Sequence, residues 1–491
     1  MLVLFLVSFS IIFIVNGLIF SPQNCVRQNR LQKASYIFEE LEVVEARCIE
    51  SELSLSNPVV GPYTDGRHVI ISEIEVDTAS LVEKKEESCH QQKCVAYPRA
   101  GPWEKISLDP TECTAAIVTC GGLCPGLNTV VQELYRTLYE QYGVKRVYGI
   151  KGGYGGLADE DFEPMEKILN PSLYRQGGTI LGTSRGQCSA EEMVKSLTNK
   201  KINALFVVGG DGTLRGAKTI CTAAPELRLI AVPKTIDNDI PIIDKSFGFD
   251  TAVEAARNAI HTASVEAQAF PRGLGLVRLM GRDAGFLAVH ATLACPGDVD
   301  ACLIKESGFD LDQLIHYLEH KLNTKGSAVL VVAEGIGNKL QPNVDIGPWL
   351  ADTLKKRFAL ENGGFTLKYV DPGYAVRAIG PNAADTILCS RLAANAVHAA
   401  MAGYTDCAIA TLNAQYAIIP LDHLVSRASI LAVNGHLWAE LIRSTGQPDF
   451  HLNHNTPQDE LAIDLMCDDQ DNGPFRESPS GGCVVTYHDE A

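Results

Sequence analysis

Positive charge is what this sequence has little of: 42 lysines and arginines stand against 59 acidic residues, a formal charge of −17 over 491 residues. That balance argues against a nucleic-acid or anionic-membrane surface, so an anionic substrate must be met by a local arrangement of cations. Paired C-x-x-C motifs are missing as well. The cysteines number 15, odd and scattered, which reads as thiols in a reducing compartment rather than a disulfide framework, and they offer zinc no ligand set. No self-similar period of about 20 to 50 residues occurs, which excludes a solenoid. Hydrophobic residues make up 46% of the chain, enough for one large α/β unit or two lobes and too much for disorder throughout.

The two ends differ from the middle. Residues 1–20 are almost wholly apolar and carry no charge, a length that suits a membrane anchor or a signal-like segment, although the basic start of a secretory signal is missing. Membrane contact is expected only if this segment is retained. Residues 21–38 hold Arg27, Arg30 and Lys33 and no acid, the bias of a transit segment, so residues 1–38 read as a two-part plastid presequence or as an incorrect gene start. Residues 21–94 carry no chemistry-bearing motif and form a variable accessory segment. From Leu441 to the end there are ten acidic residues and two arginines among Pro, Gly, Asn and Ser, which predicts a mobile acidic tail over 451–491.

Between Ala115 and Leu412, short runs rich in Val, Ile and Leu end repeatedly in glycine or proline and pass into helical periodicity. Runs without alternation suit strands buried on both faces. The expected fold is therefore doubly wound α/β with mainly parallel sheets.

Five loops in this region concentrate chemistry. "TCGGLCPGLN" mimics a P-loop through Gly121 and Gly126, but Leu127-Asn128 stands where that motif needs Lys and Ser/Thr. It still offers backbone donors and a helix start to an anion. "VVGGDGTLRG" puts Asp211 among glycines at a strand end, where it either caps a helix or serves a cation such as Mg²⁺ beside phosphate oxygens. In "GGTILGTSRGQ", Arg185 is either a phosphate ligand or a solvated side chain. Tyr154 in "KGGYGGL" is either a lid residue or an exposed ring. "VPKTIDNDIP" places two aspartates on one loop after a buried strand, either as an Asx-turn cluster or with one of them as a base for a hydroxyl nucleophile. A metal carboxylate, a base and arginines on strand-end loops are the parts of a phosphoryl-transfer site.

"GGDGT" alone is shared with NAD and lipid kinases. With "PKTIDND" and "LMGRDAGF" the chain resembles the 6-phosphofructokinases, and "YPRAGPWEKI", "TCGGLCPGLN" and "STGQPDF" look like the plant-type ATP-dependent group. The resemblance covers about residues 95–450 and implies a catalytic core of two similar lobes with the active site between them. It implies ATP-dependent, Mg²⁺-requiring phosphorylation of fructose 6-phosphate to fructose 1,6-bisphosphate in glycolysis, by an allosteric homo-oligomer that is cytoplasmic by family default. It places Gly121, Arg185, Gly186, Gly210, Asp211, Gly212 and Thr213 around ATP, with Asp211 on the metal. Thr235, Ile236 and Asp237 would line the sugar 1-hydroxyl, with Asp237 as proton acceptor. Met280, Gly281 and Arg282 would contact fructose 6-phosphate, Arg282 offsetting charge on the moving phosphoryl group, and Glu334 would bind the sugar. Tyr374 and Arg377 would grip the 6-phosphate, and Lys368 would reach it from a neighbouring subunit.

Four departures bear on these expectations. Lys234 is typical of pyrophosphate users, whereas Gly212 leaves open the space that a second aspartate fills in those enzymes. The plant-type ATP group combines the two, which favours ATP; a pyrophosphate-dependent enzyme and a catalytically weak regulatory subunit are the alternatives. Gly273 stands where bacterial relatives donate an arginine across an interface, and Asp283 follows "MGR" where a larger uncharged side chain is expected.

Overall fold

The structure, a computed structural model, describes residues 93–184, 188–337, 344–358, 364–425 and 429–450, with short stretches between 40 and 71. The expectations for residues 1–38 and for the tail after 450 fall outside the described residues. So do Arg185 and Gly186.

Two sheets carry the core. In the larger, seven strands run in the order β11(Gln415–Pro420)-β10(Cys407–Leu412)-β5(Arg228–Pro233)-β4(Ala204–Gly209)-β1(Thr114–Thr119)-β2(Arg146–Ile150)-β3(Phe162–Pro164). The inner strands are parallel, and only the edge strands β11 and β3 pair antiparallel. β1 and β4 are buried at every position, which is why "TAAIVT" and "ALFVVG" show no alternation: helices cover both faces. The smaller sheet is wholly parallel, in the order β7(Ala301–Leu303)-β8(Ser327–Ala333)-β6(Gly273–Leu279)-β9(Thr366–Val370). Both sheets are doubly wound as the sequence implies. They differ in size, seven strands against four, so the lobes are alike in plan but not in extent.

In the large sheet the chain leaves β1 in one direction, to β2, and returns past it to β4 on the other side. A crevice opens at such a reversal beyond the carboxyl ends of the strands, which is where ligands bind in open α/β sheets. The Gly121–Gly126 loop follows β1, and the Gly210–Thr213 run follows β4. Topology alone therefore brings two of the five chemistry-bearing loops to one crevice.

α1 (Leu127–Arg136) and α6 (Ala383–Ala402) pack together across this region. α6 is built from small residues, "AADTILCSRLAANAVHAAMA", so it lies close to the loop: a Cβ at Gly126 would come within 2.4 Å of the Cys389 sulfur. It starts at Asn382, whose side chain accepts from the Asp385 N–H, and stops at Gly403 in the left-handed conformation. Asp385 is fully buried and accepts from Gly248 N, Thr251 N and the Thr251 hydroxyl, which ties α6 to the start of α3 (Phe249–Gln268). The strand Lys93–Pro98 pairs with Glu40–Val43 and Val69–Ile71, so the accessory segment shares a small sheet with the first residues of the core.

Among the described residues no disulfide forms, and burial pushes the Cys113, Cys120 and Cys221 thiols up to about 12. They are inert packing groups. No helix among the described residues is long and apolar enough to cross a membrane.

Candidate active site

Gly121 turns the chain after β1 with φ +82°, a conformation that a Cβ would strain. Its carbonyl accepts from the Thr183 hydroxyl at 2.7 Å, and the Gly122 carbonyl accepts from Lys234 Nζ at 2.7 Å. Lys234 is only 5% exposed, so a buried ammonium stands beside an open glycine turn. α2 (Asp211–Ala223) begins directly after Gly210, and no side-chain hydrogen bond caps it. Asp211 is therefore no helix cap. Its carboxylate is 47% exposed and pairs with Arg215 one turn on at 2.8 Å. Beside it, a Cβ built on Gly212 meets nothing within 4 Å.

Two residues outside the expected set organise this side. Tyr154 is neither a lid nor an exposed ring: its hydroxyl donates to the Thr213 carbonyl at 2.8 Å and its ring lies against Gly216. Asn128, standing where a P-loop has its lysine and hydroxyl pair, is buried and holds the 176–180 turn, donating to the Gln176 and Gly177 carbonyls and accepting from Ile180 N at 2.8 Å. Both positions look optional in sequence because their partners are backbone groups far along the chain.

The "KTIDND" loop leaves β5 beside this turn. The Thr235 hydroxyl accepts from Asp237 N at 3.0 Å, and Asn238, in the left-handed region, accepts from Ser246 N at 2.9 Å. The Thr235 turn is thus real and Asn238 ties the loop to Ser246 rather than forming an Asx-turn, but together they leave Asp237 Oδ1 buried and without a hydrogen-bond partner. A buried carboxylate oxygen so placed is costly. Burial first, then the charges of Asp239, Glu334 and Asp283, push the Asp237 carboxyl up to about 7, with Lys234 acting in the opposite direction. Asp239 is raised too, by burial and by Asp283 and Asp211.

The smaller sheet supplies the opposite wall. Met280, Gly281 and Arg282 follow β6, and Glu334 follows β8, the neighbouring strand. Gly335 N donates to the Gly281 carbonyl at 3.0 Å, which locks the two loops together, and Arg282 itself is exposed. Asp283 pairs with Lys305 at 3.2 Å. Beyond β9, Tyr374 is 78% exposed and the Arg377 guanidinium lies over its ring, 5.0 Å from the centroid. Arg377 also reaches the donor side, with Nη1 3.9 Å from a Cβ built on Gly122. The backbones meet there as well: a Cβ at Gly177 would sit 2.1 Å from the Ala378 carbonyl, and one at Gly380 2.1 Å from that of Arg175.

Gly121, Thr213, Lys234 and Arg377 are therefore gathered at one turn, with Asp237 and Glu334 near enough for their charges to interact. Lys368 stands apart: Glu266 engages its ammonium at 3.1 Å and the Phe270 ring lies 4.3 Å away, both within its own chain. Gly273 could not carry the bacterial arginine, because a Cβ there would come within 1.9 Å of the Ala267 carbonyl. The residue most clearly missed is Arg278, the only charge in the buried run "GLGLVRL" of β6. That isolation was its signal.

The donors suit magnesium. Mg²⁺ takes one or two carboxylates and completes its shell with water and phosphate oxygens; Asp211 is an accessible carboxylate among acids whose mutual repulsion a divalent cation relieves. Among the described residues no group of three or more metal-ligating side chains occurs, so an all-protein cage is excluded there.

Comparison with known proteins agrees with this arrangement. A family model described as phosphofructokinase matches residues 114–400. ATP-dependent 6-phosphofructokinase 2 of Arabidopsis thaliana is 41% identical over 422 residues, covering 81% of this chain and 93% of that protein. ATP-dependent 6-phosphofructokinase of Borreliella burgdorferi is 39% identical, covering 81% of this chain and 95% of that one. An Arabidopsis relative whose name is marked chloroplastic is 43% identical over 72% of this chain and 69% of its own length. Among solved structures, Pichia pastoris phosphofructokinase in the T-state is similar with a TM-score of 0.56 at 26% identity, over 64% of this chain and 35% of that one. The pyrophosphate-dependent enzyme of Nitrosospira multiformis gives 0.59 at 18% identity, over 77% of this chain and 99% of that one, a likeness of fold alone.

Proposed function

The chain belongs to the phosphofructokinase family, and on that premise we propose how its residues carry out ATP-dependent phosphorylation of fructose 6-phosphate, the activity named for its relatives. The 1-hydroxyl oxygen of the sugar attacks the γ-phosphorus of ATP in line, its proton leaves, and ADP departs.

Asp237 takes the proton. The observation that carries this assignment is its orphaned, buried Oδ1 with the carboxyl held near 7, close to the pH at which a general base must work. Thr235 and Ile236 line the hydroxyl, and Met280, Gly281, Arg282 and Glu334 hold the sugar from the other wall. Tyr374 and Arg377 bind its 6-phosphate. On the donor side, Gly121, Gly210, Gly212 and Thr213 leave backbone room for the phosphates, and Arg185 and Gly186 are assigned there by resemblance alone. Lys234 and Arg282 place positive charge where the transferring group gains negative charge. A magnesium ion held by Asp211 supplies neutralisation of the phosphate oxygens when bound.

Lys234 keeps a pyrophosphate-dependent reading in view, whereas the empty space at Gly212 and the ATP-dependent relatives support ATP. A coupled assay with each donor tests the reading. Turnover with ATP and fructose 6-phosphate is expected; turnover with pyrophosphate alone, or with neither, overturns it. Asp211→Ala is expected to raise the Mg²⁺ concentration for half-maximal rate and to lower turnover, with little change in sugar-phosphate binding, because the metal keeps only its phosphate and water ligands. An unchanged Mg²⁺ titration would reduce Asp211 to a partner of Arg215.

We also propose a homo-oligomer in which Lys368 serves a neighbour's site; sedimentation of the wild type tests the oligomer, and a raised KM for the sugar in Lys368→Ala tests the role of the lysine. Location is cytosolic, or plastidic if residues 1–38 act as a presequence. Mass spectrometry of the mature N-terminus separates these.

A further inference from the structure

β6 is the middle strand between β8 and β9, and Arg278 stands near its carboxyl end, 18% exposed at the side chain. Its guanidinium reaches three carboxylates on three different elements. Nη2 donates to Glu334 Oε2 at 2.7 Å, at the end of β8; Nη1 donates to Asp371 Oδ2 at 2.9 Å, just after β9; Nε lies 3.1 Å from Asp345 Oδ1, just before α5 (Ile346–Phe358). Asp371 in turn accepts from Gly373 N at 2.9 Å and from the Tyr369 hydroxyl at 3.4 Å, so the turn leading to Tyr374 and Arg377 hangs from the same guanidinium.

We propose that Arg278 is a positioning residue for the sugar phosphate: it holds the Glu334 carboxylate and the Asp371–Arg377 loop in the relative placement that receives the acceptor substrate. This rests on the assignment of Glu334, Tyr374 and Arg377 to sugar-phosphate binding.

Two physical reasons make the arginine specific. A planar guanidinium has donors pointing in fixed, divergent directions, so it hydrogen-bonds Glu334 and Asp371 at once while its charge faces Asp345, an arrangement that a lysine ammonium lacks the fork to hold. Its charge also offsets part of three clustered carboxylates. Without it, Glu334, Asp345 and Asp371 repel one another and the incoming phosphate dianion. Arg278 forms its bonds to Glu334 and Asp371 and not to Asp237, Lys234 or the Gly210–Thr213 run, so its direct effect falls on sugar affinity, and only a smaller, indirect effect reaches Asp237 through the Glu334 charge and the donor turn through Arg377.

The experiment measures KM for fructose 6-phosphate, KM for ATP and kcat for wild type, Arg278→Met, Arg278→Lys and Asp371→Ala, with calorimetric titration of fructose 6-phosphate and thermal melts on the same samples. Arg278→Met is expected to raise the sugar KM and Kd by about 10- to 100-fold, the loss of charge-assisted hydrogen bonds, while KM for ATP stays within about two-fold. Arg278→Lys should recover part of the loss. Asp371→Ala, which cuts only the arm to the loop, should show the same selectivity more weakly and stands in where Arg278→Met does not fold. A folded Arg278→Met or Arg278→Lys with wild-type sugar affinity, or with equal losses for both substrates, overturns the proposal. If wild type binds the sugar phosphate without turning it over, the activity reading fails and the titrations still decide the role of Arg278; if wild type does not bind it, both fall.

Discussion

Asp237→Asn is expected to lower kcat by about two to four orders of magnitude, the range for loss of a general base, while the protein becomes more stable above neutral pH. The amide keeps the shape of the carboxyl and cannot take the proton from the 1-hydroxyl. The stability gain follows from the same burial. Folding raises this carboxyl from 3.8 to about 7, so between those values the folded state holds a proton that the unfolded chain has released. Stability contributed by that proton is complete at low pH and is lost as pH rises through about 7. Asparagine never bears the charge. Above pH 7 the variant should therefore gain on the order of 2–4 kcal/mol, an amount set by about 1.4 kcal/mol per pKa unit and reduced by solvent screening at a partly exposed loop. Thermal melts at pH 5 and pH 8 read the difference, which should be small at the former and large at the latter. In wild type, kcat/KM should fall as pH drops below about 7, and a folded variant with full kcat sinks the assignment.

Gly212→Asp addresses the phosphate donor. A Cβ at this position meets no atom within 4 Å, and an acidic residue in the first turn of α2 suits the helix dipole, so the substitution should leave the fold intact. What it changes is the space beside the glycine turn, where a second carboxylate would face the α-phosphate of ATP. Like charges at about 4 Å repel by about 1 kcal/mol in bulk water and about 4 kcal/mol at an effective dielectric near 20. KM for ATP should accordingly rise between about five-fold and about a thousand-fold, while KM for fructose 6-phosphate changes little. Lys234 already stands at the turn, bound to the Gly122 carbonyl, so weak pyrophosphate-dependent turnover is also expected to emerge. Steady-state kinetics with both donors measures each effect. An unchanged KM for ATP means that the α-phosphate does not pass this residue.

The strands and their loops were legible because their causes are local. Unalternating runs such as "TAAIVT" and "SAVLVVA" state burial on both faces, and glycine-rich turns after them state close approach of backbone to something else. Asp237 stood out by the density of polar residues on one loop. Tyr154 and Asn128 were harder: neither has a local partner, and only the fold brings Tyr154 to the Thr213 carbonyl and Asn128 to the 176–180 turn. Gly273, a departure that sequence left unexplained, is required by the Ala267 carbonyl of the preceding helix.

By itself the sequence determined the α/β class, the strand-end loops and the residue types able to transfer a phosphoryl group, since hydrophobic run length, turn residues and ordered motifs are properties of neighbouring positions. The tertiary structure decided which of those loops share a crevice, because strand order is set by crossover connections that no local pattern encodes. It also decided the protonation of Asp237, which depends on burial and on Asp239, Asp283 and Glu334 together. Arg278 completes the contrast. One charge in an apolar strand is visible in the sequence, but its three carboxylates lie 56, 67 and 93 positions away, and only a parallel sheet with Arg278 on its middle strand brings them to one guanidinium.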